Sequence, residues 1–446
     1  MSYYRLYPSR NNTIFRYLRY TGKTVSGYTG QNINTGANSV MELMDGKGES
    51  KLIFWFEVNE TIVNRIEKSS DYTVKLQLWD AGTLWEPAIK LKNLKLEYFT
   101  DIFSEGDGYS FLAPEAKDGF SNWSNRDSVN LWSGTSFTEI EQSPFTLNRI
   151  NEDLNFNVTN DFKDVYVGSP SIGFCLSIDN RDNDENNIYR KFIHSIYTKT
   201  VFKPYLEFFF EDTITDNSYN CTVSNNKVYF INKAGVDFPE NINFDMTGNT
   251  GTQTGTAVKE MPGVYSASIN SNNFSYSTPF RKSIITVKWI LSTSNKEIYR
   301  QNIEYKPDYI LTDEYDINNL YFYPVTPSTH NTAKQGDILP FRVISEIRGE
   351  GTKVITTYEY RVTSMDGFEM VPWTKVSVYR DSMYFNIKTD YFFPEQQYEV
   401  WVRNKTDDST ITSNLTHKFK VTMNDKSHMR DMSASPYYSR DQFFSK

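Results

Sequence analysis

The residues that could carry chemistry in this chain are few and widely separated. Its 446 residues include four histidines, His194, His330, His417 and His428, which lie far apart along the sequence. A Ser or Cys nucleophile needs a histidine base held beside it, and a transition-metal site needs clustered His or Cys. No G-x-S-x-G sequence occurs either. The sequence therefore predicts neither a Ser or Cys hydrolase nor a transition-metal site, and it implies no cofactor.

One acidic segment has the residue types for a hard cation. Asp179, Asp182 and Asp184 lie within six residues, and carboxylate oxygens are the ligands that calcium prefers. The spacing is not that of an EF-hand, no bidentate Glu stands at the matching offset, and Arg181 lies among the acids. The three aspartates are thus a candidate calcium loop, and the alternative is a solvated loop between two strands.

The glycine-rich segment 248–256 does not have the features of a phosphate-binding loop. It reads Gly-Asn-Thr-Gly-Thr-Gln-Thr-Gly-Thr, has no Lys, and is not followed by a helical pattern. The segment predicts a mobile hairpin or an insertion.

Two further patterns concern sugars. Glycoside hydrolysis needs two carboxylates at a defined separation, and among 55 acidic residues nothing in the sequence selects a pair. Four tryptophans, Trp79, Trp85, Trp123 and Trp132, could stack on sugar rings or could instead fill a large core and the loops that cover it. Both readings of the tryptophans remain open.

Charge and cysteine content exclude some classes of protein. The net charge of −8 argues against a dedicated nucleic-acid binder, which usually carries a basic face. No apolar run is long enough to span a membrane, and the start of the chain lacks the apolar region of a secretory signal. We therefore expect synthesis in a reducing cytoplasm. Cys175, inside an apolar run, is expected to be a buried free thiol.

The elements that must position these residues are strands. Aromatic residues make up 16% of the chain, and alternating patterns such as 52–58 and 72–79 are separated by Gly-rich turns. Helical periodicity is scarce, and only residues 188–196 are expected to add a short turn or helix. The sequon at Asn59 is read as loop composition.

The strands group into successive blocks. Residues 1–213 have the length of a jelly roll with extended loops, and the blocks 214–312 and 313–424 each have the size and strand number of an immunoglobulin-like sandwich. Residues 425–446 form a tail. The predicted fold is all-β: an N-terminal jelly-roll β-sandwich, two immunoglobulin-like β-sandwiches and an extended C-terminal tail.

The first block resembles the DNRLRE-type jelly-roll domain, a sandwich similar to carbohydrate-binding modules. The opening segment 7–15, the segment 34–43 and above all the closing segment 192–207, with Phe-Ile-His-Ser and Thr-Val-Phe-Lys-Pro-Tyr-Leu, look like strands of that family. The first letter of the family's name stands for an Asp, and the matching position in this sequence is Asn11 or Asn12. The closing segment is most similar to copies carried by structural proteins of large tailed phages.

The third block carries a second resemblance. Residues 393–403, Phe-Pro-Glu-Gln-Gln-Tyr-Glu-Val-Trp-Val-Arg, are similar to a fibronectin type III strand. That resemblance implies that Tyr398 is a tyrosine-corner residue whose hydroxyl satisfies a buried backbone group, as opposed to an ordinary strand tyrosine.

Together these resemblances imply a non-enzymatic structural protein of a tailed-phage virion, at the neck, collar or tail. Its partners would be other virion proteins and further copies of itself, in a ring or as repeated copies, with no nucleic acid and no membrane. Usage rich in Asn, Lys, Ile and Tyr is what an AT-rich phage genome would encode, as in crAss-like phages. The alternatives are a carbohydrate-binding module or adhesin on the host surface, and a glycan-degrading enzyme.

The tail is the candidate partner-binding segment. Tyr437, Tyr438, Phe443 and Phe444 are aromatic anchors with no domain of their own to enter. We expect them to form an arm that contacts a neighbouring protein, and the alternative is a disordered end.

Overall fold

The computed structural model describes residues 2–18, 34–46, 48–66, 71–86, 93–106, 108, 120–132, 135, 137–141, 143–146, 152–166, 171–179, 188–218, 221–234, 236–274, 283–306, 319–324, 331–347, 351–353, 357–379, 382–405, 410–412 and 416–423. The chain forms two compact units. The N-terminal unit comprises Tyr4–Glu67 and Tyr72–Phe209, and the C-terminal unit comprises Met1–Tyr3, Lys68–Asp71 and Phe210–Lys446. Both are built of strands, so the all-β prediction is confirmed. The division at residues 213, 312 and 424 stays a prediction.

The first part of the chain contributes strands β1 to β13 and two short helices. The strands are β1 Ser2–Leu6, β2 Arg10–Leu18, β3 Val40–Gly46, β4 Gly48–Glu57, β5 Tyr72–Leu78, β6 Asp80–Glu86, β7 Asn93–Phe99, β8 Thr138–Glu139, β9 Phe145–Thr146, β10 Leu154–Asn157, β11 Ser171–Ile178, β12 Ile188–His194 and β13 Tyr205–Phe210; the helices are α1 Glu60–Ile66 and α2 Thr159–Tyr166. Neither helix has the length or the hydropathy to cross a membrane, among the residues described.

These strands form three sheets. Their orders are β1-β13-β5-β10, β2-β4-β11-β7-β8 with β9 also on β7, and β3-β12-β6. Strand β5 shows the alternating burial expected of a half-buried strand, with Tyr72, Val74 and Leu76 inside. The order of the second sheet joins strands far apart in sequence, since β11 lies between β4 and β7.

The second sheet is buried on both faces. Along β4, Phe54 and Phe56 point to one face while Ile53 and Trp55 point to the other, and all four are buried. Phe103 and Trp132, which come from the chain between β7 and β10, cover the second face and join Trp55, Phe99 and Cys175 in one apolar cluster. Cys175 is free and buried, as predicted, and burial raises the pKa of its thiol to about 12.

Gly173 permits the closest packing in that cluster. It pairs with Phe99 across β11 and β7, and a Cβ at Gly173 would lie 2.3 Å from Cζ of the Phe99 ring. The Phe99 ring in turn lies 5.9 Å from the ring of Trp55 and 5.8 Å from that of Trp132. Only a residue without a side chain leaves room for this aromatic layer on the sheet.

Strand β12 corrects the expectation of a turn or helix at 188–196. Ile188–His194 is a strand that pairs with both β3 and β6. Tyr189, Lys191 and Ile193 are its buried positions, which is a period of two. The apolar residues Ile188, Phe192 and Ile193 imitate helical spacing, but the strand is stabilised by pairing on both sides.

The two helices were missed by the sequence patterns. Asn59 immediately precedes helix α1, and its Oδ1 accepts a hydrogen bond from the backbone N–H of Ile62 at 3.0 Å. The segment read as loop composition is therefore a helix N-cap. Helix α2 buries Phe162, whose ring packs edge-on against Tyr72 and Phe208. Both helices have fewer than nine residues, which is too short for a clear period of 3.6.

The C-terminal unit contains four sheets among the residues described. Its strands are β14 Cys221–Thr222, β15 Lys227–Ile231, β16 Ile242–Gly248, β17 Thr252–Thr256, β18 Val258–Met261, β19 Val264–Ser268, β20 Ser283–Leu291, β21 Glu297–Lys306, β22 Asn319–Pro324, β23 Thr332–Lys334, β24 Ile338–Ile347, β25 Gly351–Lys353, β26 Tyr358–Ser364, β27 Glu369–Lys375, β28 Ser377–Tyr379, β29 Ser382–Lys388, β30 Gln396–Lys405, β31 Thr410–Thr412 and β32 His417–Thr422. The orders are β14-β21-β20-β16-β17, β15-β19-β18, β22-β24-β29-β28 with β25 on β24, and β23-β32-β30-β26-β27 with β31 on β30.

Aromatic residues fill the cores of this unit. Trp289 is fully buried, with the rings of Phe230 and Tyr265 in the same cluster. Further along the chain, the Phe385 ring stacks on Tyr360 at 4.1 Å and on Phe341 at 5.0 Å. These aromatic residues serve core packing, which is one use of the high aromatic content of the sequence.

Two local predictions are confirmed here. The hydroxyl of Tyr398 donates to the carbonyl oxygen of Phe393 at 2.8 Å, which is the bond of a tyrosine corner. Segment 248–256 is a hairpin, since β16 and β17 pair and the N–H of Gly248 donates to the carbonyl of Gly251 at 2.9 Å.

The segment that follows β13 forms backbone hydrogen bonds with β28, a strand much later in the chain. The N–H of Asp216 donates to the carbonyl of Val378 at 3.0 Å, and the N–H of Val378 donates to that of Ile214 at 2.7 Å. The buried carboxylate of Asp216 accepts bonds from the N–H and hydroxyl of Ser218 and from the N–H of Tyr229. Residues 214–216 therefore extend the sheet that ends at β28 while also bonding to β15.

Substituting Gly173 tests the aromatic layer. We expect Gly173→Ala to lower the free energy of unfolding by about 1–3 kcal/mol, because the new methyl group overlaps the Phe99 ring in a packed cluster. Urea unfolding followed by tryptophan fluorescence measures the loss. In a Phe99→Leu background, Gly173→Ala should lower the free energy of unfolding by a smaller amount, because the Phe99 ring is absent. An equal cost in both backgrounds would show that the contact with Phe99 is not responsible.

Candidate functional site

The predicted site residues lie partly outside the described chain. Asp179 is exposed at the end of β11, and its N–H donates to the carbonyl of Asn93 at 2.9 Å. Asp182 and Asp184 lie outside the described residues, as do Tyr437, Tyr438, Phe443 and Phe444. No group of three or more His, Cys, Asp or Glu that could hold a metal occurs in the part of the chain that the structure describes. The calcium loop and the arm remain predictions.

Two of the four tryptophans belong to the cover of the second sheet. Trp132 is buried, and its Nε1 donates to the carbonyl of Asn122 at 2.6 Å. Trp123 is half-buried beside it, with the ammonium of Lys51 at 5.0 Å from its ring centroid. Trp132 therefore has the structural role that was one of the two readings, while Trp123 packs against the same cluster and keeps part of its surface open. The side chain of Trp85 lies outside the described residues.

Trp79 lies in a different setting. It is half-buried, and its ring centroid lies 5.4 Å from that of Phe202, which is 38% exposed. The ring of His194 stacks on the same Phe202 at 5.8 Å. These three side chains, here called the Trp79 platform, are a partly exposed aromatic surface on the N-terminal unit. Burial lowers the pKa of His194, although the charges of Asp80 and Asp153 oppose that change.

Asn11 and Asn12, at the positions of the family's opening letter, belong to a buried polar network. The backbone N–H and the Nδ2 of Asn11 both donate to Oε1 of Glu105, at 2.8 and 3.2 Å. Oδ1 of Asn11 accepts from the N–H of Ile196 at 2.9 Å, and Nδ2 of Asn12 donates to Oγ of Ser121 at 2.7 Å. The network joins β2 to three loops, which is a structural role.

Glu105 is the acceptor at the centre of this network. Its Oε2 accepts from the hydroxyl of Tyr197 at 2.5 Å. Burial raises the pKa of Glu105 to about 7, although the bonds from Asn11 and Tyr197 and the charge of Arg10 oppose that rise. The next residue, Gly106, must be small because a Cβ there would lie 1.9 Å from Oδ1 of Asn34. The sequence of residues 105–108, Glu-Gly-Asp-Gly, indicates only a turn.

A second buried carboxyl lies on the sheet β3-β12-β6. Glu42 has no exposed surface, and its Oε1 lies 3.2 Å from Nε of Arg190. Burial raises the pKa of Glu42 to about 7, and the charge of Arg190 only partly offsets this. The neighbouring Lys191, also fully buried, pairs with the carboxylate of Asp80. Both ion pairs link strands of one sheet, so they position backbone segments.

The C-terminal unit presents a half-buried row of stacked side chains on the sheet β23-β32-β30-β26-β27. The guanidinium of Arg403 lies 4.0 Å from the ring centroid of Trp373, and that of Arg361 lies 4.7 Å from the same centroid. Arg361 is also 5.8 Å from the centroid of Trp401. Nε and Nη2 of Arg403 donate to Oε2 of Glu359 at 2.8 and 2.6 Å. We call these five residues the Trp–Arg ladder.

Register explains why the ladder forms. Arg361 pairs with Trp401 and Glu359 pairs with Arg403 across β26 and β30, while Trp373 comes from β27 on the other side of β26. All five residues occupy alternate positions, so they share one face. The sequence shows alternation in each strand separately, and only the pairing of the three strands reveals the ladder.

Stability should depend on pH through Glu42. A carboxyl whose pKa rises from 4.5 to about 7 on folding loses stability as pH increases through that interval. Relative to Glu42→Gln, which cannot titrate, the wild-type chain should therefore lose about 3 kcal/mol between pH 4.5 and pH 8. Urea unfolding at the two pH values measures this difference. The exposed Glu57→Gln is the control. A Glu42→Gln chain with the pH dependence of the wild type would contradict the assignment.

Comparison with known proteins adds little to these observations. No family model matches the chain, and no curated protein matches it. Among solved structures it is similar to the first to third fibronectin domains of chicken CNTN1, with 11% identity and a TM-score of 0.16. That similarity covers 77% of this chain and 99% of the other. A TM-score this low carries no argument about architecture or function.

Proposed function

We propose that the chain is a non-enzymatic structural component of a tailed-bacteriophage virion, at the neck, collar or tail. It works through protein–protein contacts with other virion proteins and with further copies of itself. It is made in the bacterial cytoplasm and becomes part of the particle. It binds neither nucleic acid nor a membrane, and it uses no cofactor.

The Trp–Arg ladder is the observation that carries the protein-contact role. Trp and Arg are the residue types most concentrated at the energetic centres of protein interfaces. Here the guanidinium of Arg403 is already fixed by Glu359 and by the Trp373 ring, so its ordering costs little when a partner docks. Glu42 and Glu105, the carboxyls with pKa raised to about 7, are instead held inside structural networks.

The sequence supports the virion part of the proposal. Segment 192–207 resembles the closing strand of jelly rolls from large tailed phages, and the all-β build suits a subunit that stacks by its faces and edges. The tail 425–446 places four aromatic residues beyond β32, the last strand of the described residues. Arms of this kind connect subunits when an assembly forms.

Quantitative mass spectrometry of purified phage particles tests this function. We expect the chain in particles at a fixed copy number that fits their rotational symmetry. Changing Tyr437, Tyr438, Phe443 and Phe444 to Ser should greatly reduce incorporation, because the arm would lose its apolar anchors. Changing Asp425 and Lys426 to Ser is the control. Particles that lack the chain contradict the virion role, and normal incorporation of the aromatic variant contradicts the arm.

The Trp79 platform favours one alternative, a carbohydrate-binding adhesin. Aromatic rings that are partly open to solvent can stack on the apolar faces of sugars. Phe202 and the half-buried Trp79 form such a surface on the domain that resembles carbohydrate-binding modules.

Binding to host-surface glycans tests the alternative. If the platform binds sugar, Phe202→Ala should reduce retention on immobilised host polysaccharide at least tenfold, because the stacking partner is lost. Ile102→Ala, which removes a comparably exposed apolar side chain, should leave retention unchanged. Equal retention of both variants and the wild type would exclude the platform as a sugar site.

A further inference from the structure

Strand β17 borders the sheet β14-β21-β20-β16-β17 of the C-terminal unit, with only β16 beside it among the residues described. Two backbone bonds define how β16 and β17 pair. The N–H of Gly248 donates to the carbonyl of Gly251 at 2.9 Å, and the N–H of Ala257 donates to that of Ile242 at 2.8 Å. Hydrogen-bonded and non-hydrogen-bonded pairs alternate between antiparallel strands. The pairs of Met246 with Gln253 and of Phe244 with Gly255 are therefore the bonded ones.

Thr252, Thr254 and Thr256 consequently stand in non-hydrogen-bonded pairs. Their N–H and C=O groups point away from β16, so three donors and three acceptors line the free edge. No turn, loop or cap bond in the described chain reaches these six backbone groups. The edge can accept another strand without losing any bond of its own sheet.

The edge of β17 lacks the features that normally prevent such pairing. Natural border strands are protected by charged side chains, Pro or a covering segment. Strand β18, which follows β17 in the chain and borders the sheet β15-β19-β18, contains Lys259 and Glu260, and Lys259 pairs with Asp237. The border strand β28 is covered by residues 214–216. Thr252–Thr256 contains no charge and no Pro, and it has no such cover in the described chain.

We propose that β17 is a docking site for the C-terminal arm of a second copy of this chain, with residues 437–444 added as a further strand. The chain continues for 23 residues beyond Met423, so the arm is long enough to reach outward. Residues 437–444 read Tyr-Tyr-Ser-Arg-Asp-Gln-Phe-Phe, with no Gly or Pro and with strand-forming aromatic residues at both ends. The charges of Arg440 and Asp441 cancel, so residues 437–444 have no net charge and can pair with the uncharged edge of β17. The inference rests on the assembly role proposed above.

The side chains of β17 show which substitutions leave the core intact. Gln253 and Gly255 face inward: Nε2 of Gln253 donates to the carbonyl of Ser268 at 2.9 Å, and a Cβ at Gly255 would lie 2.8 Å from the Phe244 ring. Thr254 faces outward and is exposed. Replacing Thr254 therefore changes the edge alone.

Crosslinking of full-length chains tests the docking. A Thr254→Cys chain is mixed with a Tyr438→Cys chain and oxidised; the natural Cys175 and Cys221 are both buried. We expect a disulfide-linked dimer that contains one copy of each variant. Thr73→Cys, an exposed position on the internal strand β5, replaces Thr254→Cys as the control and should give no dimer. No dimer with Thr254→Cys, or an equal yield with Thr73→Cys, would overturn the proposal.

Two further measurements keep the test decisive. In a chain that carries both Thr254→Cys and Tyr438→Cys, a disulfide formed only within one molecule would show that the arm docks on its own chain, which also overturns the proposal. Thr254→Lys should abolish concentration-dependent association in sedimentation velocity, while Thr247→Lys on β16 should preserve it. Particle composition does not enter these tests, so a failed virion role and a failed docking site remain distinguishable.

Discussion

Every strand at the border of a sheet leaves half of its backbone donors and acceptors unused by that sheet, and an all-β chain depends on how these groups are satisfied. In the C-terminal unit, residues 214–216 bond to Val378 and so cover the border strand β28. Asp216 then fixes that cover by accepting bonds from Ser218 and Tyr229. The edge of β17 differs from that of β28. Its threonines carry no charge, and no covering segment bonds to it among the described residues.

The apolar faces of a sheet, like its edges, need to be covered by other parts of the chain. The sheet that contains β4 and β11 buries both faces, since the chain after β7 folds back over Trp55 and Phe99. Most of the aromatic residues therefore serve packing. Among the described residues, the Trp–Arg ladder and the Trp79 platform contain aromatic rings that remain partly open to solvent. One sheet edge and two aromatic surfaces are therefore the candidate contact regions.

Strand positions in the second and third blocks could be predicted from alternation. Alternation in the sequence predicts strands over 227–232, 264–269 and 284–291 in the second block and over 397–403 in the third. The structure has Lys227–Ile231, Val264–Ser268, Ser283–Leu291 and Gln396–Lys405 at these places. Such strands bury one face, so their pattern has a period of two. Strand β12 was not predicted, because its apolar residues also fit a helix. Helix α1 was missed because its main signal is the single cap residue Asn59.

The candidate site was less predictable, for a physical reason. Glu42 and Arg190 are almost 150 residues apart, and their pairing depends on the register between β3 and β12. The Trp–Arg ladder likewise needs three strands in register. Tyr398 could be predicted because the donor and acceptor of its bond are only five residues apart. Local motifs were therefore recovered, and arrangements made by long-range pairing were not.

Hydrogen–deuterium exchange at residues 252–256, in assembled and in dissociated protein, tests the central claim that this edge is used in assembly. Because the amides of Thr252, Thr254 and Thr256 point outward, they should exchange fast in the isolated chain and much more slowly once copies associate. The bonded amides of Gln253 and Gly255 should change little and serve as the internal reference. Equally fast exchange of the three threonine amides in both states would contradict the account.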